Sequence, residues 1–429
     1  MSPPLDILVF SHLVPWPTTS GVLLRGYNLL REAARRHRVY LYAFNQDVLL
    51  PAEEVTASIR HLSEFCEEVR VFRLPGAGSR LGLSALLARN IFSSLPYIVP
   101  RFYSPALEQA VIDLLGRRPI RILQFETIAM AQYRALASDL PAILVHQNVE
   151  SALLADRARH QVNPLARLVA GGEARKLARY EALLGGREDW VNVTVSAADR
   201  DSFMTRIPRG RFEVVPNGVD VDYFHPGSDP AGNGAGLVFV GGMSWHPNRD
   251  AMRWFIEAVW PRVRRLVPQA RLEVVGSHPA PEVRRAQARG LGVHATGLVE
   301  DIRPYVREAA LVVCPLRIGG GTRLKILDAW AMGKAVISTT VGCEGLGAVS
   351  GRELEIADSP EVFATRVVEL LADPQRRRRL GSAGRARAAE EFAWPRVAAG
   401  MLELYEELAD PEGIMQPPRP AAAGGRSAG

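Results

Sequence analysis

The chain has 429 residues, of which 47% are hydrophobic and 23% charged, values that are typical of globular proteins. Its length exceeds that of one ordinary domain, so we expect two domains that each bury a core. The formal net charge of +6 comes almost wholly from arginine and is spread along the chain, which argues against a nucleic acid as the partner.

The first residues, 1–17, carry no positive charge before a strand-length apolar run, so no signal peptide is expected. The apolar stretch 81–99 is interrupted by Arg89, Asn90 and Pro96 and falls short of a membrane-spanning helix. The three cysteines lack metal-ligand spacing, and their odd number suits a reducing compartment. The sequence therefore predicts a cytoplasmic protein that can work peripherally at the inner membrane.

Short apolar runs alternate with helical patterns through the first half of the chain. The runs are 6–12, 38–44, 68–74, 121–125, 142–146 and 190–196. Their apolar residues are nearly continuous, as expected for strands buried on both faces of a parallel sheet. Strand–helix alternation predicts right-handed βαβ units and an open, doubly wound α/β sheet.

A segment rich in Gly and Pro, 225–236, breaks this pattern and is predicted to link two domains, 1–224 and 237–390. The alternation then restarts. The new runs are 236–242, 271–277, 292–297, 310–315, 334–339 and 353–357. Helical segments close the chain, and the tail 413–429 has too few apolar residues to fold, so it is expected to be disordered.

The stretch "RIGGGTRLKILDAWAMGKAVIST", residues 317–339, places three glycines between a predicted strand and a predicted helix. Glycines allow close backbone approach, and a helix start offers unpaired N–H groups to an anion. Arg323 and Lys325 add positive charge for phosphate oxygens, and Asp328 can accept hydrogen bonds from a sugar or ribose hydroxyl. A flexible turn followed by an i,i+3 ion pair on a helix is the alternative.

Two common nucleotide-binding motifs are absent from the sequence. A Walker A loop needs a glycine five residues before its Gly–Lys pair, but Asp328 holds that position before Gly333 and Lys334, and Ala335 replaces the required Ser or Thr. No G-x-G-x-x-G follows the first predicted strand, which disfavours a dinucleotide-binding domain.

Asp220 and Asp222 form an Asp-x-Asp pattern that could hold a divalent metal, but the pattern is too common to indicate a metal site by itself. They also lie in a "PNG" turn near the predicted linker. No combination of residues makes a recognisable catalytic triad or metalloprotease site. Metal binding is therefore not expected.

Polar residues follow two strands of the first predicted sheet and the start of its first helix. His146 ends the run 142–146 and Glu126 follows the run 121–125, which are positions that can face a ligand in a doubly wound sheet. Gly21 and Arg25 are four residues apart and share one helix face at its anion-attracting end. A buried structural histidine and a plain helix start are the alternative interpretations.

Four stretches, 214–224, 238–255, 294–346 and 391–405, together resemble family 4 glycosyltransferases, as does the "PWPTTSG" segment before the first helix. The resemblance runs in the same order through both halves. It implies a GT-B fold, in which two Rossmann-like domains with doubly wound parallel sheets face a cleft. The C-terminal domain would bind a nucleotide-diphosphate sugar, the N-terminal domain would bind the acceptor, and a helix at 391–412 would cross back to the first domain.

Enzymes of this family retain the anomeric configuration of the sugar and need no metal or other cofactor. They often build bacterial polysaccharides or glycolipids at the cytoplasmic membrane face. The resemblance therefore implies a nucleotide-sugar donor, a glycan or lipid-linked acceptor and peripheral contact with that membrane face.

Individual roles are carried over by position. The donor-binding residues would be Gly241, Gly242, Gly297, Val299, Gly319, Gly320, Gly321, Arg323, Lys325 and Asp328. Among them, Arg323 and Lys325 resemble the clamp on the diphosphate, and Asp328 resembles the second acid of a paired-glutamate motif, which binds the ribose. His146 matches a histidine that contacts the transferred sugar and is the catalytic candidate. Gly21, Arg25 and Glu126 are assigned to the acceptor.

The chain also departs from the family pattern. Gly320 stands where the first glutamate of the paired-acid motif is expected, and the usual Arg and Lys after the first donor-domain strand fall near Gly242 and Pro247. Arg323 and Lys325 could supply the missing charge. Two alternatives stay open, a nucleotide-sugar epimerase of the same fold and a non-catalytic subunit.

Overall fold

The computed structural model describes residues 3–45, 50–74, 90, 92–159, 161, 163–226, 234–319 and 323–410. These residues form two compact units. The first comprises the described residues of Met1–Thr194, Arg200–Val214 and Ala398–Gly429, and the second those of Val195–Asp199 and Val215–Val397. The predicted tail, 413–429, lies outside the described residues.

The first unit contains a parallel sheet of seven strands in the order β3-β2-β1-β4-β5-β6-β7. The strands are β1 (Asp6–Ser11), β2 (Arg38–Asn45), β3 (Glu68–Arg73), β4 (Ile122–Phe125), β5 (Ala142–His146), β6 (Trp190–Thr194) and β7 (Phe212–Val214). The six strands predicted from the sequence are confirmed. Strand β7 was not predicted, because three residues are too few for an apolar run and only pairing with β6 makes them a strand.

The second unit contains a parallel sheet of six strands in the order β10-β9-β8-β11-β12-β13. The strands are β8 (Gly236–Val240), β9 (Arg271–Val275), β10 (Val293–Gly297), β11 (Leu311–Cys314), β12 (Val336–Ser338) and β13 (Glu355–Ile356). All six correspond to apolar runs in the sequence, so the doubly wound arrangement is confirmed here too.

Helices connect the strands in both units. Those whose full range is described before residue 215 are α1 (Gly21–Ala34), α2 (Ala52–Leu62), α3 (Ile98–Arg101), α4 (Pro105–Arg117), α5 (Glu150–Arg159), α6 (Pro164–Gly185) and α7 (Ala197–Arg206). Those after it are α8 (His246–Trp254), α9 (Trp260–Leu266), α10 (Pro281–Ala288), α11 (Arg303–Glu308), α12 (Leu324–Ala331), α13 (Pro360–Ala372), α14 (Pro374–Glu391) and α15 (Trp394–Ala409). A 3₁₀ segment, Ile128–Ala137, follows β4, and a π-helical turn, Phe255–Val259, joins α8 to α9.

The apolar runs are continuous because the strands are covered on both faces. In β8, Leu237 and Phe239 belong to one hydrophobic cluster and Val238 to another. Strand β11 divides in the same way, with Val313 in the first cluster and Val312 in the second. Successive side chains of a strand point to opposite faces, so each face of this sheet has its own core.

The last helix, α15, belongs to the second unit over its first four residues and to the first unit from Ala398 onward. Within the first unit, the Tyr405 hydroxyl donates a hydrogen bond to Oε1 of Gln124 in β4. Arg211 forms an ion pair of 2.7 Å with Glu407. These contacts attach the end of the helix to the first sheet.

The strand order reverses at one place in each sheet, between β1 and β4 in the first unit and between β8 and β11 in the second. Ligands of doubly wound sheets bind at such places, beyond the carboxyl ends of the strands. The loops after these four strands are therefore where a site is expected. Among the described residues, no helix is long and apolar enough to cross a membrane.

Candidate functional site

The loops at the carboxyl ends of β8, β9 and β10 are joined by backbone hydrogen bonds. The Gly241 N–H donates to the Val275 carbonyl at 2.8 Å, and the Gly276 N–H donates to the Gly297 carbonyl at 3.0 Å. A Cβ on Gly276 would overlap the Gly241 carbonyl, and the φ of Gly276 is +151°, so only glycine fits there. The three loops are thus in direct contact at one edge of the sheet.

Lys325, in the first turn of α12, extends across the strand-order reversal to the loop after β8. Its Nζ donates a hydrogen bond to Oδ1 of Asn248 at 2.8 Å and lies 4.2 Å from the centre of the Phe239 ring. A Cβ on Gly241 would lie 2.9 Å from this Nζ, so the glycine makes room for the ammonium group. Burial lowers the pKa of Lys325 to about 8.

Arg323, the residue before α12, is 4% exposed and donates hydrogen bonds to backbone carbonyls of two segments. Its Nη2 donates to the Gly319 carbonyl at 2.7 Å and to the Val341 carbonyl at 3.3 Å. Burial lowers the pKa of this guanidinium. These hydrogen bonds link Arg323 to Gly319 and to the segment after β12. Its role as a phosphate clamp stays a prediction.

The glycine loop is described only at its first glycine. Gly319 has a φ of +108°, a conformation that favours glycine, and a Cβ there would lie 3.3 Å from Pro247. Gly320 and Gly321 lie outside the described residues. The predicted role of their N–H groups therefore stays a prediction.

Asp328 lies one turn beyond Lys325 on α12, and its side chain is partly exposed. Among the described residues, its buried Oδ1 has no hydrogen-bond partner. Burial raises the pKa of this carboxyl to about 7, against the opposing effect of Lys325. A buried acceptor oxygen without a donor is costly unless a ligand hydroxyl supplies one, so the predicted ribose contact fits this geometry.

The remaining predicted donor residues lie on neighbouring loops. Gly242 accepts a hydrogen bond at its carbonyl from Nδ2 of Asn248 at 2.9 Å. Gly297 has a φ of +75° at an irregularity of the β9–β10 pairing, and a Cβ there would meet no atom within 4 Å. Val299 packs against the core beneath β11. The structure thus brings Gly241, Gly242 and Lys325 together and places Gly297 on the adjoining strand end.

Two further features near the glycine loop were not predicted from the sequence. Arg317 forms an ion pair of 2.8 Å with the buried Asp250 of α8, and its guanidinium carbon lies 5.6 Å from the centre of the Trp254 ring. The indole of Trp245 is 43% exposed beside Gly319. No motif spacing indicates such pairs, because their members are about 70 residues apart in the chain.

The Asp-x-Asp pattern lies in a turn that the side chain of Asp220 stabilises. Oδ1 of Asp220 accepts hydrogen bonds from the backbone N–H groups of Asp222 and Tyr223, at 3.1 and 2.8 Å. Side chains that bond their own backbone in this way are common in turns. Within the described part of the chain, no group of three or more His, Cys, Asp or Glu side chains could hold a metal ion.

The first unit gathers polar side chains at its own strand-order reversal. Arg25 of α1 is fully buried, and burial lowers the pKa of its guanidinium to about 10. The negative charge of Glu126, which follows β4, acts in the opposite direction and raises this pKa. The Glu126 carboxylate accepts hydrogen bonds from Gln124 and Gln147, the latter at 3.3 Å. Gly21 begins α1, where Ser20 caps the helix. The predicted acceptor residues Arg25 and Glu126 are thus electrostatic partners of each other.

Glu150, at the start of α5, is a polar residue of this region that sequence reasoning missed. Its Oε1 accepts a hydrogen bond from the Thr127 hydroxyl at 3.2 Å. Two effects raise the pKa of Glu150 to about 7: burial, which is the larger, and the nearby negative charge of Glu181. A carboxyl with such a pKa can donate or accept a proton near neutral pH.

His146 lies at the end of β5, as predicted, but its ring is 4% exposed and packs into a small apolar cluster. Its Nε2 shares a hydrogen bond of 3.0 Å with Oδ1 of Asn192. The ring centre lies 4.5 Å from that of Phe203 and 6.3 Å from that of Phe212. Burial lowers the pKa of His146 to about 4, so the ring is neutral at pH 7. Its assignment as the catalytic residue stays a prediction.

Part of the second unit matches a known protein family. Residues 234–373 match the family model described as glycosyl transferases group 1. This range contains Gly241, Asn248, Lys325 and Asp328 and therefore the loops described above.

Two relatives match larger parts of the chain. The GDP-mannose-dependent alpha-(1-6)-phosphatidylinositol monomannoside mannosyltransferase of Mycolicibacterium smegmatis is 27% identical over 330 residues, which are 67% of this chain and 85% of that protein. The D-inositol 3-phosphate glycosyltransferase of Segniliparus rotundus is 30% identical over 262 residues, 56% of this chain and 55% of that protein.

Solved structures similar to the whole chain share its fold at low sequence identity. The sucrose-phosphate synthase of Thermosynechococcus elongatus has a TM-score of 0.68 at 18% identity and covers 94% of this chain and 99% of its own. HepE of Anabaena, in complex with UDP, has a TM-score of 0.64 at 14% identity and covers 94% of this chain and 100% of its own.

Proposed function

Since this chain is a GT-B glycosyltransferase of the family 4-like type, we propose that it moves a sugar from a nucleotide-diphosphate sugar to a hydroxyl acceptor with retention of the anomeric configuration. The acceptor would be a glycan or a lipid-linked molecule of bacterial polysaccharide or glycolipid synthesis. The second unit would bind the donor and the first unit the acceptor.

The observation that carries the proposal is the placement of Lys325. Its ammonium group lies against the loop after β8, at the strand-order reversal, beside Gly241, whose lack of a side chain makes room for that group. This is where a doubly wound sheet binds phosphorylated ligands. Of the three lysines in the chain, Lys325 is the one at this position.

The charge of Lys325 gives the proposed reaction its chemistry. As the bond between the sugar and the diphosphate breaks, negative charge accumulates on the leaving oxygens and positive charge on the anomeric carbon. An ammonium group already in place stabilises this state more than the ground state, because the charge it faces grows during the step. Lys325 would hold the β-phosphate oxygens in this way, and the partly exposed Asp328 would accept hydrogen bonds from the ribose hydroxyls.

The acceptor would approach the polar residues of the first unit. Arg25 and Glu126 are buried partners there, and Glu150 adds a carboxyl whose pKa is raised to about 7. In a retaining transfer the acceptor hydroxyl gives its proton to an oxygen of the leaving phosphate. These residues would therefore position the acceptor and need not remove its proton. The predicted contact of His146 with the transferred sugar is a separate part of the proposal.

We also propose that the first unit contacts the membrane that carries a lipid-linked acceptor. Leu165, Leu168 and Val169 of α6 are 69%, 68% and 38% exposed, beside a largely apolar groove of about 460 Å³. Neighbouring exposed apolar side chains are a feature of interaction sites. Arg157 and Arg167, both exposed, belong to the same helix pair α5 and α6, and their charge favours an anionic lipid surface.

Vesicle binding tests the membrane contact. The protein should co-sediment with vesicles that contain phosphatidylglycerol more than with pure phosphatidylcholine vesicles. A double variant, Leu165→Glu with Leu168→Glu, should lower the partition coefficient about tenfold or more, because it places charge on the apolar surface that would face the membrane. Leu266→Glu, at a leucine of the second unit that is 59% exposed, is the matched control and should bind normally. Equal binding by all three proteins would contradict the contact.

Transfer itself should need no divalent metal, because Lys325 can neutralise the leaving diphosphate without one. The purified protein is incubated with a panel of nucleotide sugars and candidate acceptors in excess EDTA, and the anomeric coupling of the product is read by NMR. We expect transfer in EDTA with the donor configuration retained.

Other outcomes of this assay contradict particular parts of the proposal. Activity that is lost in EDTA and restored by Mn²⁺ would bring Asp220 and Asp222 back as metal ligands. An inverted linkage would contradict the retaining mechanism. Isomerised donor without a transfer product would indicate the epimerase alternative.

A further inference from the structure

The side chain of Asn248 connects Lys325 to the loop after β8. Its Oδ1 accepts the hydrogen bond from Nζ of Lys325 at 2.8 Å, and its Nδ2 donates to the Gly242 carbonyl at 2.9 Å. Asn248 is 6% exposed, in the first turn of α8, so its own position is fixed by packing. The oxygen and the nitrogen of this amide group therefore each form a hydrogen bond, the oxygen with α12 and the nitrogen with the loop after β8.

The position of the ammonium group depends on this amide. A lysine side chain has four rotatable bonds and loses much conformational freedom when it is held in one place. The Phe239 ring attracts Nζ from one side at 4.2 Å but does not fix a direction, because a ring face is a broad target. Asn248 supplies a directional bond from another element, α8, 77 residues away in the chain.

The ammonium group of Lys325 has hydrogen-bond donors left for a phosphate. An ammonium group can donate three hydrogen bonds. Among the described residues, Nζ of Lys325 donates one, to Asn248. A phosphate at the loop after β8 could accept the others while the bond to the neutral amide is kept, since a carboxamide, unlike a carboxylate, does not cancel the positive charge.

We infer that Asn248 is the positioning residue of this site: it holds the ammonium group of Lys325 against the Gly241–Gly242 loop and so determines the binding of the donor's diphosphate, without contacting the diphosphate itself. This inference rests on the proposed function. It also gives the loop a physical substitute for the cations that the family pattern places near Gly242 and Pro247, because a lysine from α12 is brought there by the amide.

A double-mutant cycle between Asn248 and Lys325 separates positioning from a merely structural role. The probes are UDP, GDP, ADP and dTDP, and the one that binds the wild-type protein most tightly is used throughout, with inorganic pyrophosphate as the smallest probe. Affinities are measured by calorimetry for the wild type, Asn248→Ala, Lys325→Met and the double variant. Lys325→Met keeps the volume of the side chain and removes its charge.

We expect Asn248→Ala to weaken binding about five- to twentyfold when Lys325 is present, as for coupled residues in contact. In the Lys325→Met background, the same change should have no effect beyond about twofold, because there is no ammonium group left to position. Asn28→Ala removes another buried asparagine, in the first unit, and controls for a general loss of stability. It should bind the probe like the wild type.

Each contrary result has its own meaning. An equal loss from Asn248→Ala in both backgrounds would overturn the positioning role, because Asn248 would then act through the loop alone. Unchanged affinity of Asn248→Ala with Lys325 present would overturn it as well. Unchanged affinity of Lys325→Met would contradict the diphosphate clamp in the proposed function, and the positioning of that clamp with it.

Discussion

Replacement of Lys325 by alanine is expected to weaken the binding of a nucleoside diphosphate by about 1.5–3 kcal/mol, or about ten- to 150-fold. The physical reason is the loss of a charged hydrogen-bond donor that reaches the strand-order reversal from α12. The catalytic rate constant should fall further, by about 10²- to 10³-fold, because the charge on the leaving group is larger in the transition state than in the bound donor.

Calorimetric titration and single-turnover rates measure the two effects separately. The chain offers a matched control, since it has only three lysines and Lys176 lies in the first unit, paired with Glu173 at 2.8 Å. Lys176→Ala removes the same charge from the chain and should leave nucleotide affinity unchanged. Unchanged affinity of Lys325→Ala, in a protein that is still folded, would remove Lys325 from the site.

The pH dependence of the wild-type protein is part of the same prediction. Because burial lowers the pKa of Lys325 to about 8, the ammonium form that attracts a diphosphate is lost as the pH rises through 8. Affinity for the nucleotide should therefore decrease above pH 8. Lys325→Ala should lack this component, since the titrating group is gone. A wild-type affinity that stays constant from pH 7 to 9.5 would contradict the assignment.

Replacement of His146 by alanine is expected to lower the free energy of unfolding by about 2–4 kcal/mol, as for the removal of a buried ring together with its hydrogen bond. The ring packs on Phe203, and its Nε2 is bonded to Asn192. Thermal melting checks this stability effect. The control is His294→Ala, at a histidine whose side chain is 60% exposed, where a change within about 0.5 kcal/mol is expected.

The same variant tests the catalytic prediction for His146. If this residue contacts the transferred sugar, the single-turnover rate of the folded fraction should fall by more than about 10²-fold while the affinity for the free nucleoside diphosphate stays nearly normal. A destabilised variant with a normal rate would show that His146 acts only in the packing of the first unit.

The sequence determined the two sheets and the residues that end their strands. Twelve apolar runs predicted twelve of the thirteen strands that the described residues form. A strand covered on both faces needs apolar side chains along its whole length, and that is a local signal. The glycine loop and the Lys325–Asp328 segment were recognised for the same reason. Glycines, a helix start and charged residues within a few positions can be read without knowing what packs against them.

Side-chain direction and long-range partners were decided by tertiary structure alone. A strand that is buried on both faces has no polar alternation, so the sequence could not show that His146 turns into the cluster around Phe203. In the same way, the sequence shows the charge of Arg323 but not its hydrogen-bond partners, which include the carbonyls of Gly319 and Val341.

The pairing of Lys325 with Asn248 also needed the structure. The two residues are 77 positions apart and meet only because β8 and β11 are neighbours in the sheet, which brings the helices that follow them to one edge. The periodicity of apolar residues indicates which face of a helix or strand is buried, but it does not indicate the order of the strands in the sheet. The residues at the reversal of that order are therefore predictable as candidates from the sequence, and their contacts follow only from the fold.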